Sequence, residues 1–277
     1  MKLDRFLLIT VGALLAIIVI LLAMGGAAFL CLFATHGPVT NEGPLLEKSY
    51  DFNGTLGGFN EVDLQVIDIN GAVNVREGEG DAYAINVDTQ GTERDHERYK
   101  VEFTQSESAG VKTLKLEVKD TWEPRMYNSR YVADITVTVP KGKLYDAKIV
   151  TVNGRVDLGN LTCDQVMMAT VNGELASSAS AVNATYATVN GGIGVSTGAV
   201  KGKIFANSVN GGITISIPQG SALSLNAHAV NGHISNMLPI VVDQKSMLGL
   251  VGKTANYTEG LYIEAATVNG GIDITAH

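Results

Sequence analysis

The tripeptide Val-Asn-Gly stands six times in this chain, with asparagines at Asn153, Asn172, Asn190, Asn210, Asn231 and Asn269. Successive gaps are 19, 18, 20, 21 and 38 residues, and the last is twice 19. A period that skips a beat and returns in phase marks a stacked-repeat architecture, since each unit can bury its apolar face only against the next.

The units agree position by position. Two residues before each Asn stand Thr151, Thr170, Thr188, Ser208, Ala229 and Thr267, all small. Four before come Ile149, Met168, Tyr186, Ala206, Ala227 and Ala265, and six before come Ala147, Val166, Ala184, Ile204, Leu225 and Ile263. An inward face of period two is the signature of a strand. A second strand follows the Gly, because Val156, Leu175, Ile193, Ile213, Ile234 and Ile272 restart the alternation. The inward phase moves by an odd number of residues across the tripeptide, so the chain turns a corner there.

Two arrangements use that corner chemistry. Asn-Gly is a strong hairpin signal, which would give a meander. A β-solenoid would instead lay each coil on the last at a rise of ~4.8 Å. Like-on-like agreement along whole strands favours the second, because stacked asparagines can form a ladder. The expectation is an all-β, right-handed, single-stranded β-solenoid of about 18–21 residues per coil, preceded by one transmembrane helix. The expected structural corner comprises Asn70, Asn153, Gly154, Asn172, Gly173, Asn190, Gly191, Asn210, Gly211, Asn231, Gly232, Asn269 and Gly270. Glycine is expected there for a backbone with φ > 0. An upstream unit fits the same template from Leu64 to Val75, with Asp68 where the others carry a small residue. The skipped beat should fall at Leu250-Val251-Gly252, within an irregular segment at 237–262.

Residues 6–33 carry no charge, enough to cross a bilayer, which takes ~20 residues. Lys2 and Arg5 precede this run. The positive-inside rule then predicts a cytoplasmic N-terminus and an extracytoplasmic remainder at the cell membrane. Cleavage at Gly25-Gly26-Ala27-Ala28 is the rival reading. The organisation expected is an anchor at 1–33, a spacer at 34–49, first coils with a charged cap at 50–150, and the regular stack at 151–277. Charge supports that division, because residues 42–150 hold 13 Lys/Arg and 20 Asp/Glu, whereas 151–277 hold 5 and 7. Charged loops are expected at 91–98 and 105–112, between amphipathic strands.

This order of features resembles the putative-adhesin family of bacterial and archaeal β-strand-repeat proteins. The resemblance is carried by the coil at 62–75, the hairpin-like stretch 99–118, the strand Ile135-Thr-Val-Thr-Val-Pro-Lys-Gly142, and the Asn-Gly corners closing with Thr267-Val-Asn-Gly-Gly-Ile-Asp-Ile274. It covers roughly residues 50–277 and implies a solenoid displayed at a cell envelope. That family brings no catalytic motif with it.

Searching the residues for chemistry yields little. Asp157 and Glu174 fall on adjacent coils with Arg155 nearby, a weak acidic pair that reads better as solvated charge. His228 and His233 flank one corner but lack a third ligand, so neither a metal nor a cofactor is expected. Cys31 and Cys163 are the only cysteines, and no intrachain disulfide is expected. A formal charge of −8 argues against nucleic acid as a partner. The expected function is a non-catalytic, membrane-anchored binding or structural module. Its expected partner is an envelope polymer or another surface protein, with the membrane engaged through residues 6–33. The alternatives are an accessory envelope-sensing membrane protein and a glycan-active β-helix enzyme. Segment 237–262 reads either as a specific contact loop or as a cap on the last coils.

Overall fold

The computed structural model describes residues 43–121, 129–246 and 248–277. Its strands in chain order are β1 (Leu46–Thr55), β2 (Glu61–Ile67), β3 (Val73–Gly78), β4 (Ala82–Gly91), β5 (Tyr99–Ser108), β6 (Val111–Asp120) and β7 (Val132–Pro140). The stack continues with β8 (Leu144–Val150), β9 (Val156–Leu158), β10 (Thr162–Asn172), β11 (Leu175–Ser177), β12 (Ser180–Asn190), β13 (Ile193–Ser196), β14 (Gly202–Asn210) and β15 (Ile213–Ile217). It ends with β16 (Leu223–Asn231), β17 (Ile234–Asn236), β18 (Ile240–Lys245), β19 (Gly249–Thr254), β20 (Leu261–Asn269) and β21 (Ile272–Ala276). One short helix, α1 (Glu93–Arg98), joins β4 to β5.

These strands form two sheets around one core. Sheet A runs β1-β4-β7-β3-β9-β11-β13-β15-β21-β17, and sheet B runs β18-β19-β16-β20-β14-β12-β10-β8-β2-β6-β5. Both are mixed. The middle strands pair parallel, with Asn172 opposite Asn190 and Ile193 opposite Ile213. The ends pair antiparallel, through β1–β4, β4–β7 and β5–β6 at one end and β16–β19 and β18–β19 at the other.

This corrects the expected single solenoid. A single wound ribbon would stack its coils in chain order. Here β20 and β21 enter between β14/β15 and the earlier coil β16/β17. At the other end β6 and β7 lie outside β2 and β3, and the chain then returns to β8 and β9 on their inner side. The physical reason lies in the repeat itself. Coils with equivalent faces can stack on one another in more than one order, so identical interfaces do not encode sequence order. The β18–β19 hairpin fixes it, by occupying the outer edge of β16. Leu250, expected at the skipped corner, sits in β19 opposite Ala227, and no coil forms there. Within segment 237–262, the β18–β19 hairpin thus covers this edge of sheet B, while Leu261 and Tyr262 open the interior strand β20.

The expected transmembrane helix is also corrected, and with it the placement at the cell membrane with a cytoplasmic N-terminus. Among the described residues no helix is long and apolar enough to cross a membrane, and residues 6–33 lie outside them.

The core lies between the sheets. Ile149, Met168, Ala206, Ala227 and Ala265 point inward from sheet B and are fully buried. One pair shows how size is matched across the core. Tyr186 occupies the column where others carry smaller residues, and its hydroxyl donates to Ser177 Oγ on β11 at 3.1 Å. Ser177 is the small polar member of an otherwise mostly apolar column, and it satisfies a phenol that burial would leave unpaired. The expected loop at 91–98 is instead α1, held by a capping box in which Thr92 and Asp95 satisfy each other's backbone N–H. The expected loop at 105–112 is a tight hairpin, with Ala109 at φ 51° and Gly110 at φ 84° between β5 and β6.

Candidate functional site

The corner column is the most regular feature of the surface. Asn153 Nδ2 donates to Asn70 Oδ1 at 2.6 Å, Asn172 to Asn153 at 2.6 Å, Asn190 to Asn172 at 2.7 Å and Asn210 to Asn190 at 2.8 Å. Asn269 then donates to Asn210 at 2.7 Å and Asn231 to Asn269 at 2.9 Å. Seven carboxamides therefore form one unidirectional chain that follows the spatial order of the coils. Such aligned amide dipoles reinforce one another. Each interior amide still has one N–H and one oxygen lone pair outside the ladder. Six of the seven asparagines are exposed, and Asn70 is half-buried.

Glycine follows each Asn for a reason other than the expected positive φ. Only Gly71 (φ 142°) and Gly270 (φ 158°) in this column lie in the range that disfavours a side chain. The general constraint is close approach between backbones. A Cβ on Gly154 would stand 1.7 Å from Gly71 O, one on Gly173 1.9 Å from Gly154 O, and one on Gly191 1.8 Å from Gly173 O. Gly211 and Gly232 face the same obstacle at 1.9 and 1.8 Å. The glycines form a second column in which any side chain would strike the neighbouring carbonyl.

Those carbonyls have a donor. Thr170 Oγ1 donates to Gly154 O at 3.2 Å, Thr188 to Gly173 O at 3.2 Å, Ser208 to Gly191 O at 3.1 Å and Thr267 to Gly211 O at 3.0 Å. At these four positions the small residue two before Asn is therefore a hydroxyl bridging neighbouring coils, whereas Ala229 has none to offer. The valine of the tripeptide has its own role, since Val152 and Val171 are buried in a small cluster with Val150, Ala169 and Ala187, separate from the main core.

Asp68 breaks the hydroxyl column. It is fully buried, its Oδ2 accepts from Thr151 Oγ1 at 3.4 Å, and its Oδ1 has no partner. Burial pushes its carboxyl up to about 7, with the charge of Asp134 adding to the effect and the N–H groups of Ile69 and Asn70 opposing it.

The residues singled out for chemistry are placed as follows. Arg155 bonds Glu174 at 3.0 Å and Asp157 at 3.3 Å, all three on open surface. Arg155 offsets one of the two carboxylate charges. His228 Nε2 lies 2.8 Å from Asn226 Oδ1, and burial lowers its pKa from the ordinary imidazole value. His233 instead approaches Asp273 at 3.5 Å. Among the described residues no three His, Cys, Asp or Glu side chains gather as a metal site would require. Cys163 is buried and its thiol is pushed up to about 12 by burial, far from a reactive thiolate. Sequence reading missed the cleft at the C-terminal end of the stack, about 620 Å³ between β17 and the β18–β19 hairpin. No motif marks it. Only the loss of regularity across segment 237–262 set this end apart.

Fold and corner together define an all-β repeat protein built of two mixed sheets with a polar, laddered edge. Residues 64–194 match the family model described as Toastrack DUF4097. No curated protein matches the chain. Among solved structures it is similar to a putative cell adhesion protein from Clostridium sporogenes ATCC 15579, at 11% identity and a TM-score of 0.52, covering 84% of this chain and 100% of that one. A putative adhesin from Bacteroides fragilis NCTC 9343 also matches, at 12% identity and a TM-score of 0.33, covering 83% of this chain and 97% of that one. The clostridial likeness concerns the fold alone.

Proposed function

We propose that the protein is a non-catalytic binding module whose asparagine edge contacts an extended polar polymer or another surface protein. One observation carries this reading. Exposed carboxamides recur along the edge at the strand spacing of ~4.8 Å, each with a donor and an acceptor left over. A row of identical, evenly spaced polar groups suits a ligand that is itself extended and repetitive, such as a glycan chain with a hydroxyl or amide in every unit. The rigid ladder adds preorganisation, because the amides need not be ordered on binding. The adhesion wording attached to the clostridial relative agrees with this reading.

A non-catalytic role is favoured by the state of the one charged cluster considered for catalysis. Arg155, Asp157 and Glu174 are spent on mutual ion pairs, with every side chain more than 40% exposed to water. The test is retention of the purified full chain on immobilised envelope polysaccharides. Retention should fall when Asn172 and Asn190 are replaced by Ser, with the circular-dichroism spectrum unchanged. Absence of retention on every polymer, or equal retention by the variant, would remove the asparagine edge as the binding surface.

A further inference from the structure

The two sheets do not end together. At the C-terminal end, sheet A stops at β17, whereas sheet B runs on past the same layer through β19 and β18. Two strands therefore overhang a space in sheet A that is two strands wide. The inner face of this overhang is set by register. Gly252 and Leu250 lie opposite Leu225 and Ala227 and continue their inward alternation, and Ile240 and Val242 continue it on β18. Beneath it lies the cleft of about 620 Å³, whose lining mixes the aliphatic Ile234, Leu238, Ile240, Val242 and Leu250 with polar groups such as Asn236 and Lys245.

Exposed apolar surface concentrates at this end. Met237 is 77% exposed, Val241 57%, Val242 46% and Leu248 40%. These are four of the ten large hydrophobic residues exposed among the described residues, within a stretch of twelve. Charge is low here as well, since residues 237–254 carry only Asp243, Lys245 and Lys253 in a chain of net charge −8. The opposite end is finished differently. Its edge strand β5 carries Lys100, Glu102 and Glu107, and its core is closed by Phe52 and Phe103 at 5.0 Å between ring centroids. Charged edges repel further strands, and an aliphatic overhang invites them.

We propose that the C-terminal end of the stack is a self-association surface, joining two copies of this chain about a two-fold axis. The two-strand overhang of one copy enters the two-strand space beside β17 of the other, and the axis makes the fit mutual. Such a contact is closed, so association stops at two. It buries Ile240 and Val242 from both copies over the already buried Leu250, and gives the outer edge of β17 a strand to pair with. Lys245 then meets the unpaired carbonyls of that edge. Association here also keeps the acidic halves of the two chains, residues 42–150, at opposite ends of the dimer. With only two strands contributed by each copy, the dimer is expected to be concentration-dependent.

The test is light scattering and sedimentation of the full chain over a concentration series, with mild detergent holding the uncharged 6–33 segment in solution. The protein mass should double as concentration rises. Val242→Glu should weaken the dimer at least tenfold, while Val200→Glu, at a residue 56% exposed on another strand connection, should leave it unchanged. If Val242→Glu melts below the wild type, Met237→Glu at a more exposed position replaces it in the comparison. A wild type that remains monomeric throughout overturns the proposal and leaves the cleft to a different partner. Dimers that persist in both Val242→Glu and Met237→Glu overturn it as well, by placing the interface elsewhere. Neither outcome depends on whether the asparagine edge binds a polymer.

Discussion

The regular stack and the N-terminal end it grows from are held by different kinds of contact. Between β8 and β15, each coil meets its neighbour through repeated interactions: carboxamide on carboxamide, hydroxyl on glycine carbonyl, and glycine against glycine. Between β1 and β7, outside the Asn70–Gly71 corner that joins the ladder, contacts do not repeat. Tyr99 stacks on Tyr131 at 4.6 Å, His96 meets the same ring edge-on at 5.5 Å, and Arg98 pairs with Asp120 largely out of solvent. Repetition suits an interior layer, which needs only one interface used many times. An end must instead present a face that stops the pattern, so its contacts are single and specific.

The sharpest way to break this comparison is to add a side chain where backbones touch. Gly173→Val places a Cβ 1.9 Å from Gly154 O, and that carbonyl belongs to a paired backbone that cannot retreat. The expected cost exceeds about 4 kcal/mol and should abolish cooperative melting or lower the midpoint steeply. Gly58→Ala at the N-terminal end is the control, because nothing lies within 4 Å of its added Cβ. A Gly173→Val protein that melts like the wild type would mean the glycine column is not a close contact.

The second largest effect belongs to the end. Arg98 Nε donates to Asp120 Oδ1 at 2.8 Å, and its side chain is only 4% exposed. Arg98→Met removes this two-pronged ion pair from a largely buried site, and breaking such a pair costs about 3–5 kcal/mol. Denaturant unfolding would measure it. A change below 1 kcal/mol would show that water reaches Asp120 freely and that the end is looser than the stack.

Asp68 lies where the two regions join, and its effect depends on pH. Its carboxyl holds a proton up to about 7 in the folded protein, well above the ordinary 3.8. The folded state thus binds that proton more tightly than the unfolded chain does. The resulting stabilisation is complete below about 3.8 and is lost as pH rises through about 7. Asp68→Thr supplies the hydroxyl that other coils carry and removes the charge. It should therefore raise stability over the wild type by about 2–4 kcal/mol at pH 8, with a much smaller gain at pH 5. Equal gains at both values would exclude a buried titrating carboxyl.

How far the sequence disclosed these features follows from the same division. The period of the tripeptide exposed the corner residues and the inward columns at Ile149, Met168 and Ala206, because like-on-like stacking writes itself into every unit. It did not disclose the order of the coils. Asn231 and Asn269 present equivalent faces, and only the fold of the nonrepeating 237–254 segment decides which is outermost. The helix at Glu93–Arg98 was hidden for a related reason, since six charged and polar residues show no apolar period, and its Thr92–Asp95 capping box departs from the usual Glu or Gln partner. Glycine's role was misread because a single chain shows local φ preferences, whereas the true constraint is a carbonyl of another coil. The cleft was invisible because it arises from two sheets ending at different layers.

The smallest effect separates the ladder from ordinary surface polarity. Asn190 donates to Asn172 and accepts from Asn210, so Asn190→Ala breaks two bonds in the middle of the chain of amides. Exposed hydrogen bonds of this kind contribute about 0.5–1.5 kcal/mol, and the cooperative chain pushes the loss toward the upper end. Arg155→Ala on the same surface removes two ion pairs to Glu174 and Asp157, each more than 40% exposed, and should cost under about 1 kcal/mol with further weakening in salt. Asn231 supplies the sharper internal comparison. It sits at the terminus of the ladder with a single donated bond to Asn269, so Asn231→Ala should cost less than half as much as Asn190→Ala. A loss of one half, in proportion to the bonds broken, would mean that the amides act one by one, with no reinforcement along the column.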